Sequence, residues 1–492
     1  MLNINDGKLF LTVDAGTTNI KVAIVAGNGS FIDLEKINTS VIMPKSGYCE
    51  MDMDLVWKQV VSALTNLYDR NKGIWKNIFA LGVCAQGDGA WPIDKNGRPV
   101  RNAILWNDTR AVETVDYKKI NKLCLSLDTV SLFPGAAPVI LKWLKDNETE
   151  SYDKTAYVLH CSDWINYKLT GQAVTDYSNA STALMNIYTK EYANEILEAM
   201  GILDKAAAFP PIEASDKIIG KTTDEITKLL HLSENIPVIA GAIDVLAVAA
   251  GCGLDSAGQK GTIAGTTLCN YVVLDEKGAK DNFGEVGSVL CHPNDGKYIR
   301  LMAALSGTSF LDWVRREVLE DRNITETENA ISQIPIGCDG VIAHPYIFGE
   351  RAPFALPTAC AGFYGLRAHH TKYHMARAAY EGMALSLKDC YKSLPEGDNE
   401  LYIAGGASKS DFICQMIADC MGHKIYRLKE NELGIKGVYY LLLKAVGMTK
   451  CTSAETADVF EPDLYANQEY NKIYLSFCEL KERMMDFWKT KF

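Results

Sequence analysis

The chain has no apolar run long enough to cross a bilayer, no excess of positive charge and no C-x-x-C pair, and each absence removes a class of function. Its longest candidate span, VLAVAAGCGL at 245–254, is far short of the roughly 20 residues that a membrane helix needs. Lys and Arg number 50 against 61 Asp and Glu, and the resulting net charge of -11 disfavours nucleic acid and anionic membranes as partners. The 14 cysteines are scattered without metal-ligand spacing, which fits reduced thiols in a cytoplasmic enzyme better than a disulfide framework or a zinc site. The opening MLNINDGKLFLTVDAG has no basic leader and its apolar run is interrupted by Asp14, so no secretory signal is expected. What is there, 48% hydrophobic and 23% charged residues over 492 positions, is the composition of a globular protein too long for one core, and two domains of about 240 residues are predicted.

Two stretches half the chain apart repeat one motif: LTVDAGTTNIKVAIV at 11–25 and KGTIAGTTLCNYVVL at 260–274. In the first, Leu9 to Val13 reads as a buried strand, Gly16, Thr17 and Thr18 as a tight turn, and Ile20, Val22 and Ile24 as the inward positions of a returning strand. A turn of consecutive amides flanked by hydroxyls offers several donors to a phosphate, and Asp14 at its mouth is a candidate magnesium ligand. The second copy, with Gly265, Thr266 and Thr267, has Ile263 where Asp14 stood. A single Gly-Thr-Thr is most often an ordinary hairpin turn. Its recurrence at half-chain spacing favours two hairpins that grip a triphosphate.

With these hairpins the sequence resembles the FGGY carbohydrate kinases from about Leu9 to about Gly447. The resemblance implies an α/β fold of two actin-like (ribonuclease H-like) domains around an interdomain cleft, as in the sugar kinase, actin and hexokinase superfamily. Residues 1–250 would form the N-terminal, sugar-binding domain and 251–492 the C-terminal, ATP-binding domain. It implies ATP and Mg2+ as cofactors, a small sugar or polyol as substrate, and a cytoplasmic enzyme. It leaves a homodimer open.

Along the N-terminal half, MDMDLVWKQVVSALTNLY predicts an amphipathic helix with Asp54 as a candidate N-cap. At 79–111 a strand, Ala80 to Cys84, runs into Gln86-Gly87-Asp88-Gly89, and Trp106-Asn107-Asp108-x-Arg110 follows. The resemblance makes Gln86, Asp88, Asp108 and Arg110 substrate contacts. For Asp108 and Arg110 the alternative is a structural ion pair. The run at 162–181 predicts a helix ending at Leu-Thr-Gly, with Gly171 as its C-cap, and a Thr-Asp-x-Ser turn that walls the sugar site. In IPVIAGAIDVLAVAAGCG an acid, Asp244, stands in apolar surroundings between a strand and a helix. An ionised carboxylate there is costly unless it has a task. The family's Gly-x-x-Asp at this position is the catalytic base, which also contacts the substrate, and Gly241 to Asp244 matches it; helix N-capping is the plainer alternative.

In the second half, Glu350 and Arg351 read as mutual structural partners, and Thr371 reads as the N-cap of a helix, with His370 and His374 at its start rather than at a metal. LYIAGGASKSDFICQMIADCMG at 401–422 predicts a strand, paired glycines and a helix. The resemblance makes this the adenosine segment, with Gly405, Gly406 and Ser410 as contacts and Gln415 a weaker candidate. Two departures stand out: ENELGIKGVYYLLLKAVG is bulkier than the family's alanine-rich helix, and Ser309 and Asp312 replace the usual glycine and glutamine. By resemblance, AQGDGAWPIDKNGRPVRNAIL and the stretch from GFYGLRAHHT to YEG are most similar to kinases of the L-xylulose type, and erythritol or another polyol, whose kinases share AQGDG, is the alternative. A nucleotide-dependent sensor or filament protein of the same fold is the rival of another class.

Overall fold

The computed structural model describes residues 7–320, 322–448 and 455–491. They group into two compact units, one of Met1–Asp255, Val289–Tyr298 and Glu432–Ser453, the other of Ser256–Ser288, Ile299–Asn431 and Ala454–Phe492. The chain therefore passes between the units more than once, whereas the sequence reading places a single boundary at 250/251.

The first unit is organised on the strand Leu9–Ala15. It pairs antiparallel with Asn19–Ala26, placing Asp14 opposite Lys21, and parallel with Ile78–Ala85, placing Asp14 opposite Cys84. The short strand Ala242–Ile243 joins the other side of Ile78–Ala85, with Ala242 opposite Cys84. Side chains alternate along a strand, so the two faces of this sheet receive different partners. Leu9, Leu11 and Val13 pack with Val60 and Leu64 of the helix Met53–Asn71 and with Trp164 and Ile165 of the helix Cys161–Thr170. Phe10, Ala80 and Cys84 pack with Ala247 of the helix Asp244–Gly251 and with Ile435, Val438 and Tyr439 of the helix Leu433–Ala445. Asp14, four residues on from Phe10, belongs to this second face. The expected helix at 51–68 forms, but its N-cap is Asp52, whose side chain accepts from the Leu55 N–H at 2.9 Å, and Asp54 lies in the first turn. Gly171 closes the Cys161–Thr170 helix in the left-handed conformation, as expected.

The second unit repeats the arrangement. Lys260–Ala264 and Leu268–Leu274 form an antiparallel hairpin, and Lys260–Ala264 runs parallel to Glu400–Ala404, with Ile263 opposite Ala404. Lys424–Leu428 continues the sheet in parallel. A long buried helix, Lys372–Lys392, starts at the N-cap Thr371. Glu350 accepts from the Leu305, Arg351 and Ala352 amides and feels the Arg351 charge, and Arg351 donates to the Ala303 carbonyl at 2.6 Å. Among the described residues no helix is long and apolar enough to cross a membrane.

Candidate active site

Ile243 is the N-cap of the helix Asp244–Gly251, so Asp244 stands at the first helical position rather than at the cap. Its Oδ1 accepts from the Val245 N–H at 2.6 Å. The approach to it is fixed by backbone. Gly241 has φ +84 and an added Cβ would lie 1.9 Å from the Val83 carbonyl; one on Gly87 would lie 1.9 Å from Ile243 Cδ1. The Ile243 N–H is held by Ser178 Oγ at 2.9 Å. Ser178 in turn donates to Asp176 Oδ2 at 2.6 Å, as does Ser215. The Thr-Asp-x-Ser turn thus anchors the residue before the acid.

Asp244 keeps part of its surface accessible. Enclosure by protein, then the neighbouring charges of Asp14 and Asp88, push its pKa up to about 7 against the pull of the Val245 amide. Burial also raises Asp14, helped by Glu432 and opposed by Lys21, whose Nζ is 3.7 Å from Asp14 Oδ2 and 2.5 Å from Glu432. The Cys84 thiol between these acids is held well above its ordinary pKa by burial and by both carboxylates.

Asp88 has φ 52, a left-handed backbone that asparagine and aspartate tolerate better than other side chains with a Cβ. The Gly89 that follows has no room for a Cβ, which would sit 2.6 Å from the Ile104 carbonyl. Backbone held this way is found where a side chain must be aimed. Thr17 does not offer a free hydroxyl to phosphate: it donates to Gln86 Oε1 at 2.9 Å and accepts from Trp106 Nε1 at 3.2 Å. Gln86 is itself buried. Gly16 closes the turn through its N–H to the Asn19 carbonyl, and Thr18 is exposed.

Asp108 and Arg110 take the structural alternative. Arg110 donates to both Asp108 oxygens, at 2.9 and 2.8 Å, and to Glu50 at 2.7 Å, while the Cys49 N–H takes Asp108 Oδ2 at 2.6 Å. The guanidinium also lies 4.0 Å over the Tyr48 ring, and both side chains are 1% exposed. With every acceptor of Asp108 occupied, the pair is a buried strut of the acceptor-side loop.

In the second unit, Gly265 bonds Thr267 across the turn, and the hairpin rests on Gly307 and Thr308, which donate to Thr266 and Gly265 carbonyls at 3.0 and 2.8 Å. Ser309 adds a bond to Thr266 O. Thr266 is exposed and Thr267 half-buried. The paired glycines divide their work. Gly405 has φ +91 and a Cβ there would meet Ala264 O at 2.6 Å, while Gly406 faces open space. Ser410 is the N-cap of Asp411–Met421, accepting from the Ile413 N–H, and its hydroxyl donates to Glu328. Gln415 is engaged by Asp419 and the Glu461 carbonyl.

A magnesium ion fits Asp14. The residue offers one carboxylate among acids whose mutual repulsion a cation would relieve, and magnesium takes one or two carboxylates, completing its shell with water and phosphate oxygens. Among the described residues no cluster of His, Cys, Asp and Glu could hold a metal by protein ligands alone.

Sequence reasoning missed His160. The signal was a histidine between a short apolar run and CSDW, with Asp163 three positions on. That is the spacing of an N-cap with an acid at its third residue.

Two family models match the chain: the N-terminal domain of the FGGY family of carbohydrate kinases over residues 9–251 and the C-terminal domain over 261–446. A probable L-xylulose kinase of Pasteurella multocida is 28% identical over 96% of both chains. An L-xylulose/3-keto-L-gulonate kinase of Escherichia coli is 26% identical over 97% of both. A xylulose kinase structure from Lactobacillus acidophilus superposes with a TM-score of 0.89 at 24% identity, covering 97% of this chain and 98% of that one. That likeness shows the two-domain fold.

Proposed function

The chain belongs to the FGGY family of carbohydrate kinases, phosphotransferases that act on a sugar, and from that premise we propose that it transfers the γ-phosphoryl group of ATP to a hydroxyl of a small neutral ketose, a ketopentose of the L-xylulose kind. The observation that carries this reading is Asp244: an accessible acid on a rigid strand-to-helix junction, with its pKa near 7. A base of that strength is half ionised near neutral pH, where it accepts the proton of an attacking hydroxyl and aligns its oxygen with the phosphoryl group. In each hairpin the threonines, Thr18 in the first and Thr266 and Thr267 in the second, offer hydroxyls to phosphate, while Gly16 and Gly265, whose amides close their own turns, shape the loops. Gly406 gives the nucleotide backbone to lie against, Gly405 shapes that turn, and Ser410 starts the helix beyond it. Bound magnesium would neutralise phosphate charge, with Asp14 as its protein ligand.

Gln86 and Asp88 are the acceptor contacts, and Thr17, tied to Gln86, couples the first hairpin to them. Asp108 and Arg110 act through packing instead. The cations of this neighbourhood, Lys21 and Arg110, are already engaged by carboxylates. That balance favours a neutral hydroxylated acceptor over a sugar acid. A protein supplied with ATP and reduced thiols is assigned to the cytoplasm.

The test is ADP release with ATP and a panel of L-xylulose, D-xylulose, erythritol and glycerol, beside Asp244→Asn. Turnover of L-xylulose is expected, with a loss of at least about a thousandfold in kcat in the variant and unchanged ATP binding. Turnover of erythritol alone selects the polyol reading. If wild type binds ATP and phosphorylates no member of the panel, the kinase assignment to these acceptors is wrong and a sensor role gains.

A further inference from the structure

Resting on that kinase reading, we propose that His160 is an acceptor-binding residue whose Nε2 hydrogen-bonds a hydroxyl of the sugar beside Gln86 and Asp88. His160 follows the strand Tyr157–Leu159 and is the N-cap of the helix Cys161–Thr170. Its backbone N–H and its Nδ1 each lie 3.0 Å from Asp163 Oδ2, and Thr175 Oγ1 is 3.4 Å from Nδ1. These contacts fix the ring by one edge. The residue is 7% exposed, and among the described residues Nε2 has no hydrogen-bond partner in the protein. Buried polar groups are rarely left this way unless a ligand or water completes them.

The surroundings indicate which. Cys161, the next residue, reaches the Ala15 carbonyl at the first hairpin and lies in the field of Asp244 and Asp14. The imidazole itself feels Asp88 and Asp176. The Cys161–Ala15 contact places the start of the helix Cys161–Thr170 beside the strand that carries Asp14, on a different element from the residues assigned to the acceptor. Burial pushes the ring toward its neutral form, but Asp163, and after it Asp88 and Asp176, hold its pKa above the ordinary value. With Nδ1–H on Asp163, Nε2 is an acceptor in the neutral ring and an N–H donor in the charged one. A sugar hydroxyl suits either form, since a hydroxyl both donates and accepts.

Two substitutions separate ligand binding from helix capping. His160→Asn keeps a polar atom near the Nδ1 position, caps helices well and has nothing at Nε2. His160→Gln carries its amide to the Nε2 position and caps poorly. Kinetics use ATP and the acceptor that wild type turns over in the panel above, with melting temperatures alongside. Expected for the Asn variant is an acceptor KM raised about ten- to a hundredfold at unchanged ATP KM and melting temperature, and for the Gln variant an acceptor KM within about threefold of wild type despite lower stability. A capping role alone predicts the same early-melting Gln variant but an Asn variant whose acceptor KM is that of wild type. That result, or an acceptor KM unmoved in both, overturns the proposal. If wild type phosphorylates no acceptor, the kinase reading has failed before any variant is made, and this inference falls with it.

Discussion

Asp244 bears two opposed demands: catalysis needs it ionised, and its surroundings favour the proton. Because a base acts only when deprotonated, kcat/KM is expected to fall about tenfold per pH unit below a midpoint near 7, which a pH profile at subsaturating acceptor reads directly. Stability runs the other way. An acid whose folded pKa is raised from 3.8 to about 7 contributes fully only below its unfolded pKa of 3.8, and that contribution is lost progressively as pH rises from there through about 7. Asp244→Asn should therefore stabilise the protein at pH 8 by about 1–2 kcal/mol, allowing for the exposed part of the carboxylate, and by little at about pH 4; melting curves at the two pH values check this. An acid in an apolar stretch after Gly-Ala-Ile marks itself in the sequence. For Asp108 and Arg110 the ion pair was legible as one of two readings but the choice between them was not, because the deciding contacts come from Glu50, Cys49 and Tyr48, some sixty residues earlier. His160 was legible as a cap but not as a ligand, since only the fold brings the charge of Asp88 to bear on its ring.

Among elements, the helices Asp244–Gly251 and Leu433–Ala445 meet backbone to backbone. A Cβ on Gly437 would lie 1.9 Å from the Ala247 carbonyl, and one on Gly251 would lie 2.0 Å from the Leu433 carbonyl. A third close approach, of Gly434 to Asp14 Oδ2, would leave 3.2 Å. The first two glycines permit a helix that carries Tyr439, Leu441 and Leu442 to lie flat on the helix of the catalytic acid. Gly437→Ala gains about 1 kcal/mol of helix propensity but must force carbonyl and Cβ apart, and a net loss of at least about 2 kcal/mol is expected, with lowered kcat because Asp244 moves with its helix. Gly73→Ala, where nothing lies within 4 Å of the added carbon, is the control and should melt like wild type. The sequence reading flagged 430–447 as too bulky for the family pattern. The structure explains the bulk: Val438, Tyr439 and Leu442 fill the core against Phe10 and Cys84. Periodicity shows that a helix is apolar but not which distant helix it meets.

At the scale of the whole molecule, each unit hangs a Gly-Thr-Thr hairpin on a parallel neighbour strand, Leu9–Ala15 beside Ile78–Ala85 and Lys260–Ala264 beside Glu400–Ala404. The repeat was readable because a hairpin is local and its turn residues recur. The assignment of 289–298 and 432–453 to the first unit was not, because it depends on packing. Duplicated scaffolds with different residues at their turns suit two different substrates. The first unit holds Asp14, Asp88 and Asp244, and the second has Ile263 in place of the first of these, with Gly406 exposed. Variants should then divide by unit. Gly406→Val adds a side chain where no protein atom lies within 4 Å, so the fold survives, and a rise of about tenfold in ATP KM with an unchanged acceptor KM is expected from steady-state kinetics. Asp88→Asn should do the opposite. Gly405→Ala, which drives a Cβ to 2.6 Å from Ala264 O at φ +91, should fail by unfolding. Equal effects of Gly406→Val on both substrates would mean that the exposed turn does not face the nucleotide, and the division of labour between the two hairpin units would have to be redrawn.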